Sequence, residues 1–214
     1  EVVSGSLLFR SLDEPARREL VGRGVVMLFP ARYVMLREGE RILGGDIAFS
    51  IIHRQVNPAE MDFMKGRGTV SEIASMRAMT RVTNGAATLV ELKAVDNVYP
   101  LNGKVELDPN VPLARALQKV GNRYGAVAES TLLLRLSITP GAEIKIGDAT
   151  FVITASIVQE PDRVAAGVGF GPRLIISQEG LQATNLIQPG TLVRWSYRVR
   201  LIDPSNAAIQ SMQA

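Results

Sequence analysis

Thr88–Pro109, TLVELKAVDNVYPLNGKVELDP, decides how this chain is read. Leu89–Val95 alternates in the manner of a strand, Asp96-Asn97 is a polar turn, Tyr99-Pro100 makes a corner, and Val105–Asp108 resumes as a second strand. The run holds carboxylates but no nucleophile beside a base. It points to a binding or force-transmitting domain rather than a catalyst.

Upstream, Asn84-Gly85 is a strong two-residue hairpin signal, and it settles an ambiguous neighbour. Val70–Val82 carries apolar residues at both helical and strand spacing. A hairpin turn immediately before Ala87–Val95 makes Glu72–Val82 the antiparallel partner strand. Further back, Asn57-Pro58-Ala59-Glu60 has an Asn cap, Pro at the first helical position and Glu two places on, so a short helix starts there and stops at Gly66. Ile47, Phe49 and Ile51 alternate as a half-buried strand. The Gly44-Gly45-Asp46 turn before them is suited to positive φ; one Asp without companion ligands makes a turn a better reading than a phosphate or cation site.

Downstream, Pro112–Val120 reads as an amphipathic helix with Leu113, Ala116, Leu117 and Val120 on one face and Gly121 as its cap. Glu129–Leu136 reads as a second helix, closed by Thr139-Pro140-Gly141. Glu143–Ile146 and Ala149–Val158 flank a Gly147-Asp148 turn, with Ile144 and Ile146 expected opposite Phe151, Ile153 and Ala155. A glycine-rich loop, Gly167–Gly171, then exposes Phe170. It lacks the Lys-Ser/Thr of a phosphate-binding loop and does not open a helix. Arg173–Ser177 is a strand, Gln178–Thr184 a short helix, and Thr191–Ile202 a final strand with Val193, Trp195 and Tyr197 alternating against Arg194, Arg198 and Arg200. Those arginines suit a solvated face, an acidic lipid or a partner. Asp203-Pro204 opens a helix that the chain end cuts, which reads as a piece of something longer.

The bulk composition agrees with a folded domain. The 214 residues are 46% hydrophobic and 21% charged, enough to bury a core. Net charge of +3 is too small for a nucleic-acid footprint, so no nucleic-acid partner is expected. With no cysteine there is no disulfide, thiolate metal site or cysteine nucleophile. The single histidine, His53, has no companion ligand, and no cofactor is expected. No apolar run reaches the roughly 20 residues of a membrane-spanning helix, and no signal peptide opens the chain. Glu72, Glu91, Asp96 and Asp108 could act as acid and base in a hydrolase, but nothing in their spacing requires it.

Two resemblances follow from these runs. Leu7–Glu38, with LLFRSLDEPARREL and FPARYVMLREGE, resembles the opening of a cyclic-nucleotide-binding β-roll; the Gly-Glu turn and Arg that hold the cyclic phosphate in that family have no match downstream. Between Glu38 and Leu201, ILGGDIAFSIIHRQVNPAE, VSEIASMRAMTR, LVELKAVDNVYPLNGKVELDP, AVAESTLLLRLSI, IKIGDATFVITASIVQEPDR and GFGPRLIISQEGLQATNLIQPGTLVRWSYRVRL occur in the order in which they stand in FtsX-like ABC-transporter permeases of the YbbP type. The chain thus resembles the MacB-like periplasmic core domain of that family.

The resemblance implies an α+β fold in two lobes, with mixed and antiparallel sheets and short helices. It implies residues 39–202 as the core domain, 1–38 as a leader block and 203–214 as a truncated helix or tail. It also implies an inner-membrane permease whose extracytoplasmic domain couples helix movement, driven by a partner ABC ATPase, to export or extraction of a lipid-like or hydrophobic substrate. The membrane would be reached through segments outside this chain, and the domain would not be an enzyme. One departure is that the cyclic-nucleotide-like block stands where the family's first transmembrane helix should precede Glu38. Asp96, Tyr99 and Pro100 are expected to fix a corner where the lobes meet, with Gly44, Gly45, Asp46 and Phe170 as further structural or interaction positions.

Overall fold

The computed structural model describes residues 26–29, 33–37, 47–52, 54–83, 85–161 and 171–202. Its spine is β4 (Gly68–Val82), which serves two sheets at once. Along one edge it pairs with β5 (Ala87–Val95), from Ile73↔Val95 to Arg81↔Ala87, as the Asn84-Gly85 signal predicts. Its other edge is divided. Gly68–Ser75 pairs with β12 (Arg194–Leu201), and Thr80–Val82 pairs with β9 (Glu143–Ile146).

The β9 pairing closes a barrel. Going round it, β4 lies beside β5, β5 runs parallel to β11 (Arg173–Ser177), and β11 is antiparallel to β8 (Arg123–Glu129). β8 runs parallel to β10 (Ala149–Gln159), whose hairpin partner β9 returns to β4. Alternate residues therefore face a closed interior. Ala78, Val90, Leu92, Ala126, Ile144, Ile146, Phe151, Ile153, Leu174 and Ile176 fill it, all at most 5% exposed.

Two short helices cover the barrel ends. α3 (Ser130–Leu136) follows β8 and inserts Leu132 and Leu136, and α4 (Gln178–Ala183) follows β11 and inserts Leu181. Because β8 and β11 are antiparallel, the helices sit at opposite ends. α4 begins on a Ser177 cap, whose hydroxyl accepts from the Gly180 N–H at 3.0 Å. A Cβ on Gly180 would stand 2.9 Å from the Phe151 ring, so glycine lets the helix close on the barrel mouth.

The second sheet is an open wing. β12 pairs with β3 (Ile47–Ile52), β3 with β2 (Tyr33–Arg37) and β2 with β1 (Val26–Phe29). Ile47, Phe49 and Ile51 face inward with Trp195, Tyr197 and Val199, and helix α1 (Pro58–Lys65) covers them with Met64. α1 has the expected capping box: Asn57 Oδ1 accepts from the Glu60 N–H at 2.9 Å, and Glu60 Oε2 accepts from the Asn57 N–H at 2.7 Å.

Three local expectations need correction. Only Leu113–Ala116 is helical (α2), and Lys119–Val120 is a strand, β7, paired with Arg123 and Tyr124. Gly121, at φ 61°, occupies the hairpin turn instead of capping a helix, and Val120 is 76% exposed. The Ala116 carbonyl at the end of the helix packs against β8, where a Cβ on Gly125 would come within 2.0 Å of it, and accepts from the Thr154 hydroxyl at 2.9 Å. The second helix begins at Ser130, since Glu129 still belongs to β8. In the third case, Ile144 does oppose Phe151, but Ile146 opposes Ala149, and Ile153 pairs with Ala126 of β8. A register shift between Ile153 and Ala155 then turns Ala155 and Ile157 to the outer wall.

Candidate functional site

The second half of Thr88–Pro109 lies across that outer wall. β5 ends at Val95, and the chain folds back over the sheet through a corner, Asp96–Val105, into β6 (Glu106–Asp108), which pairs with β10. Tyr99, Val105 and Leu107 from this segment cover Val95, Val127, Ala155, Ile157 and Ile175, forming a second apolar cluster on the face opposite the barrel interior.

Asp96 holds the start of the corner. Its carboxylate accepts from the Ser71 hydroxyl at 2.9 Å, the Glu72 N–H at 2.6 Å, the Tyr99 N–H at 3.0 Å and the Val98 N–H at 3.2 Å. The bond from Glu72 continues the β4–β5 ladder one step past Val95 with a side chain in place of backbone. Gln178 of α4 reinforces the same point, its amide donating to the carbonyls of Glu72 and Ala94 at 3.2 and 3.4 Å. Farther along, the Arg200 guanidinium of β12 donates to the Leu101 carbonyl at 3.1 Å. Pro100 is half-buried, and the Tyr99–Pro100 peptide is cis.

Beneath the corner is a cluster of buried charge. The Lys93 ammonium is 2.6 Å from Glu160 Oε1 and 2.8 Å from the Tyr99 hydroxyl. Arg173 Nη1 lies 3.2 Å from Glu91 Oε1, and its Nε is 3.5 Å from Glu160 Oε2, an ion pair without hydrogen-bond geometry. The Arg173 N–H donates to Glu129 Oε2 at 2.9 Å. Lys93, Glu160 and Arg173 are each at most 6% exposed, so all three charges depend on one another for stabilisation.

A separate polar group lies on the other face of β4. Glu72 accepts from the Gln55 amide at 3.1 Å and from the Tyr197 hydroxyl, its neighbour on β12, which itself accepts from the Val56 N–H at 3.1 Å. Burial lifts the Glu72 carboxyl above the ordinary carboxylate range. The two hydrogen bonds oppose that shift, and the Asp96 charge adds to it. Burial also raises the Tyr197 hydroxyl, which keeps it a neutral donor.

Of the positions singled out in the sequence, Asp96, Tyr99 and Pro100 come together at the corner. Gly44, Gly45, Asp46 and Phe170 lie outside the described residues, as do His53, Asn84, the helix expected after Asp203 and most of the Gly167–Gly171 loop. Glu91 is committed to Arg173, and Asp108 is exposed on β6. Lys93, Glu160, Arg173 and Gln178 were missed. Lys93 offered one signal, a lone cation between Leu92 and Ala94 in a run otherwise buried. Among the described residues, no group of three or more His, Asp and Glu could hold a metal ion, and no helix is long and apolar enough to cross a membrane.

No family model matches the chain. Over 163 residues, 76% of its length, it is 28% identical to the uncharacterized ABC transporter permease YbbP of Escherichia coli strain K12. Its fold is similar to that of the extracellular domain of the noncanonic ABC-type transporter YknZ from Gram-positive bacteria, with a TM-score of 0.50 and 12% identity over 73% of this chain and 77% of that one. The chain is thus similar in sequence to part of an ABC-transporter permease and similar in fold to an ABC-type transporter's extracellular domain. A further likeness, at a TM-score of 0.46 and 11% identity, is to the periplasmic region of MacB from Actinobacillus actinomycetemcomitans, covering 77% of this chain and 80% of that one. The match to YbbP spans 19% of that permease's length. The mixed sheet and short helices agree with the α+β fold expected from sequence. The strands β1 and β2 from the cyclic-nucleotide-like block extend the wing through β3.

Proposed function

We propose that this domain stands on the extracytoplasmic side of an inner-membrane ABC permease and passes the movement of membrane helices to work outside the bilayer. The observation that carries this reading is the YbbP match, which runs through both the barrel and the wing. The ATP-hydrolysing subunit is a separate partner chain, and the work is export or extraction of a lipid-like or hydrophobic molecule. The domain's own part is mechanical rather than catalytic. Its best-built polar groups support that role: the Asp96 carboxylate and the Lys93–Glu160–Arg173 cluster are bonded to protein groups, leaving them poorly placed to act as acid, base or nucleophile.

The test uses the absence of cysteine from the chain. A cysteine at exposed Val120, introduced into the full-length protein, is treated in intact cells with a membrane-impermeant maleimide alongside the unsubstituted protein. Labelling before the inner membrane is broken is the expected result. Labelling only after it is broken would place the domain on the cytoplasmic side and overturn the reading. In the same strain, an ABC ATPase should co-purify with the permease.

A further inference from the structure

The wing and the barrel share little of the sheet. β12 pairs with β4 as far as Ser75, and β5 pairs with β4 only from Ile73 onward, so the two ladders overlap at Ile73, Ala74 and Ser75. On the wing edge of β4, the ladder with β12 ends at Ser75 and the ladder with β9 begins at Thr80. One face of this joint is filled by the apolar core that runs from Tyr197 and Val199 to Ala74 and Leu181. A pleated ribbon held on one face can still bend and twist about its axis. What crosses the opposite face then decides whether the angle between wing and barrel is fixed.

The corner crosses it. On the wing side, Asp96 takes the Ser71 hydroxyl and the Glu72 N–H, both just below the ladder overlap, and Arg200 of β12 holds the Leu101 carbonyl. On the barrel side, Tyr99 is bonded to Lys93 of β5, and Lys93 to Glu160 at the end of β10. Val105 and Leu107 add apolar contact with β8 and β10. Hydrogen bonds to ionised groups are roughly twice as strong as neutral ones, and each of these polar attachments involves a charged side chain. We propose that the corner is a brace that locks the wing to the barrel at a set angle, so that a displacement of the wing moves the barrel as one body. Its value to a transporter rests on the permease reading; its existence as a brace does not.

The experiment separates the two. Because the chain has no cysteine, two introduced cysteines can carry spin labels without background. One pair reports wing against barrel, at exposed Asp62 on α1 and Lys145 on β9. A control pair, Lys145 and Leu134 on α3, lies within the barrel. In the Asp96→Ala/Arg200→Ala variant, the wing–barrel distance distribution should broaden and its mean shift, while the control pair keeps its distribution. An unchanged wing–barrel distribution would overturn the brace, and so would equal broadening of both pairs, which reports general loosening. Should the double variant fail to fold, Arg200→Ala alone, at an exposed residue, removes only the Leu101 attachment. It should broaden the same distribution by less, and no change there would also overturn the proposal. None of these outcomes bears on which side of a membrane the domain occupies.

Discussion

The two faces of β5 are held by opposite means. Inward, Val90, Leu92 and Ala94 pack into the apolar core of a closed barrel. Outward, Glu91 and Lys93 are covered by the corner and satisfied by Arg173, Glu160 and Tyr99. The inward face is stabilised by shape, so its cost of damage scales with the cavity left behind. The outward face is stabilised by pairing, so damage depends on whether a charge is left alone. Buried ion pairs add little over a well-packed apolar substitute, yet removing one partner is severe. The difference teaches where this molecule can be altered quietly and where it cannot.

The largest effect should come from the inside. Phe151→Ala empties the barrel beside α4 and should cost about 3–5 kcal/mol in urea unfolding, a loss no second substitution nearby readily restores. On the outer face, Lys93→Met leaves Glu160 short of a partner and should cost about 3 kcal/mol. Adding Glu160→Leu should recover most of that loss. If the double variant were as unstable as the single one, the contrast between the faces would fail.

Smaller effects probe the wing. Asn57→Ala removes the α1 cap and should lower stability by about 1 kcal/mol, with helix α1 losing amide-exchange protection before the barrel strands do. The smallest effect is a pH dependence. With the Glu72 carboxyl lifted by burial above its ordinary value of 4.5, the folded state holds a proton that the unfolded chain has already released. The stability this adds is fully present below that ordinary value and lost as pH rises through the lifted one. Glu72→Gln should therefore flatten the unfolding midpoint against pH just above pH 4.5; an unaltered slope would mean another group carries it.

Much of this was legible in the sequence. Val90, Leu92 and Ala94 alternate visibly, the Asn57 box names its own helix, and Asp96-Asn97 with Tyr99-Pro100 marks the corner. These signals are local, carried by residues within a few positions of one another. Barrel closure is not local, since Thr80 meets Ile146 through a pairing that no nearby residue announces. The part of β8 from Arg123 to Ala128 is hidden in the sequence because every residue from Tyr124 to Ala128 is buried, which erases alternation, and Gly121 before it reads as a helix cap. Lys93 and Glu160, 67 residues apart, become partners only after the corner has folded over them.

β4 is both the wall of a closed barrel and the spine of a wing, and closure can be read directly. Arg81 and Lys145 are exposed register partners across the β4–β9 seam. In the Arg81→Cys/Lys145→Cys variant, mild oxidation should join the two cysteines within one chain, detected as loss of both free thiols and a peptide pair linking the two strands by mass spectrometry. Two thiols that stay reactive toward maleimide after oxidation, in a folded protein, would mean that the seam is open and the barrel does not close.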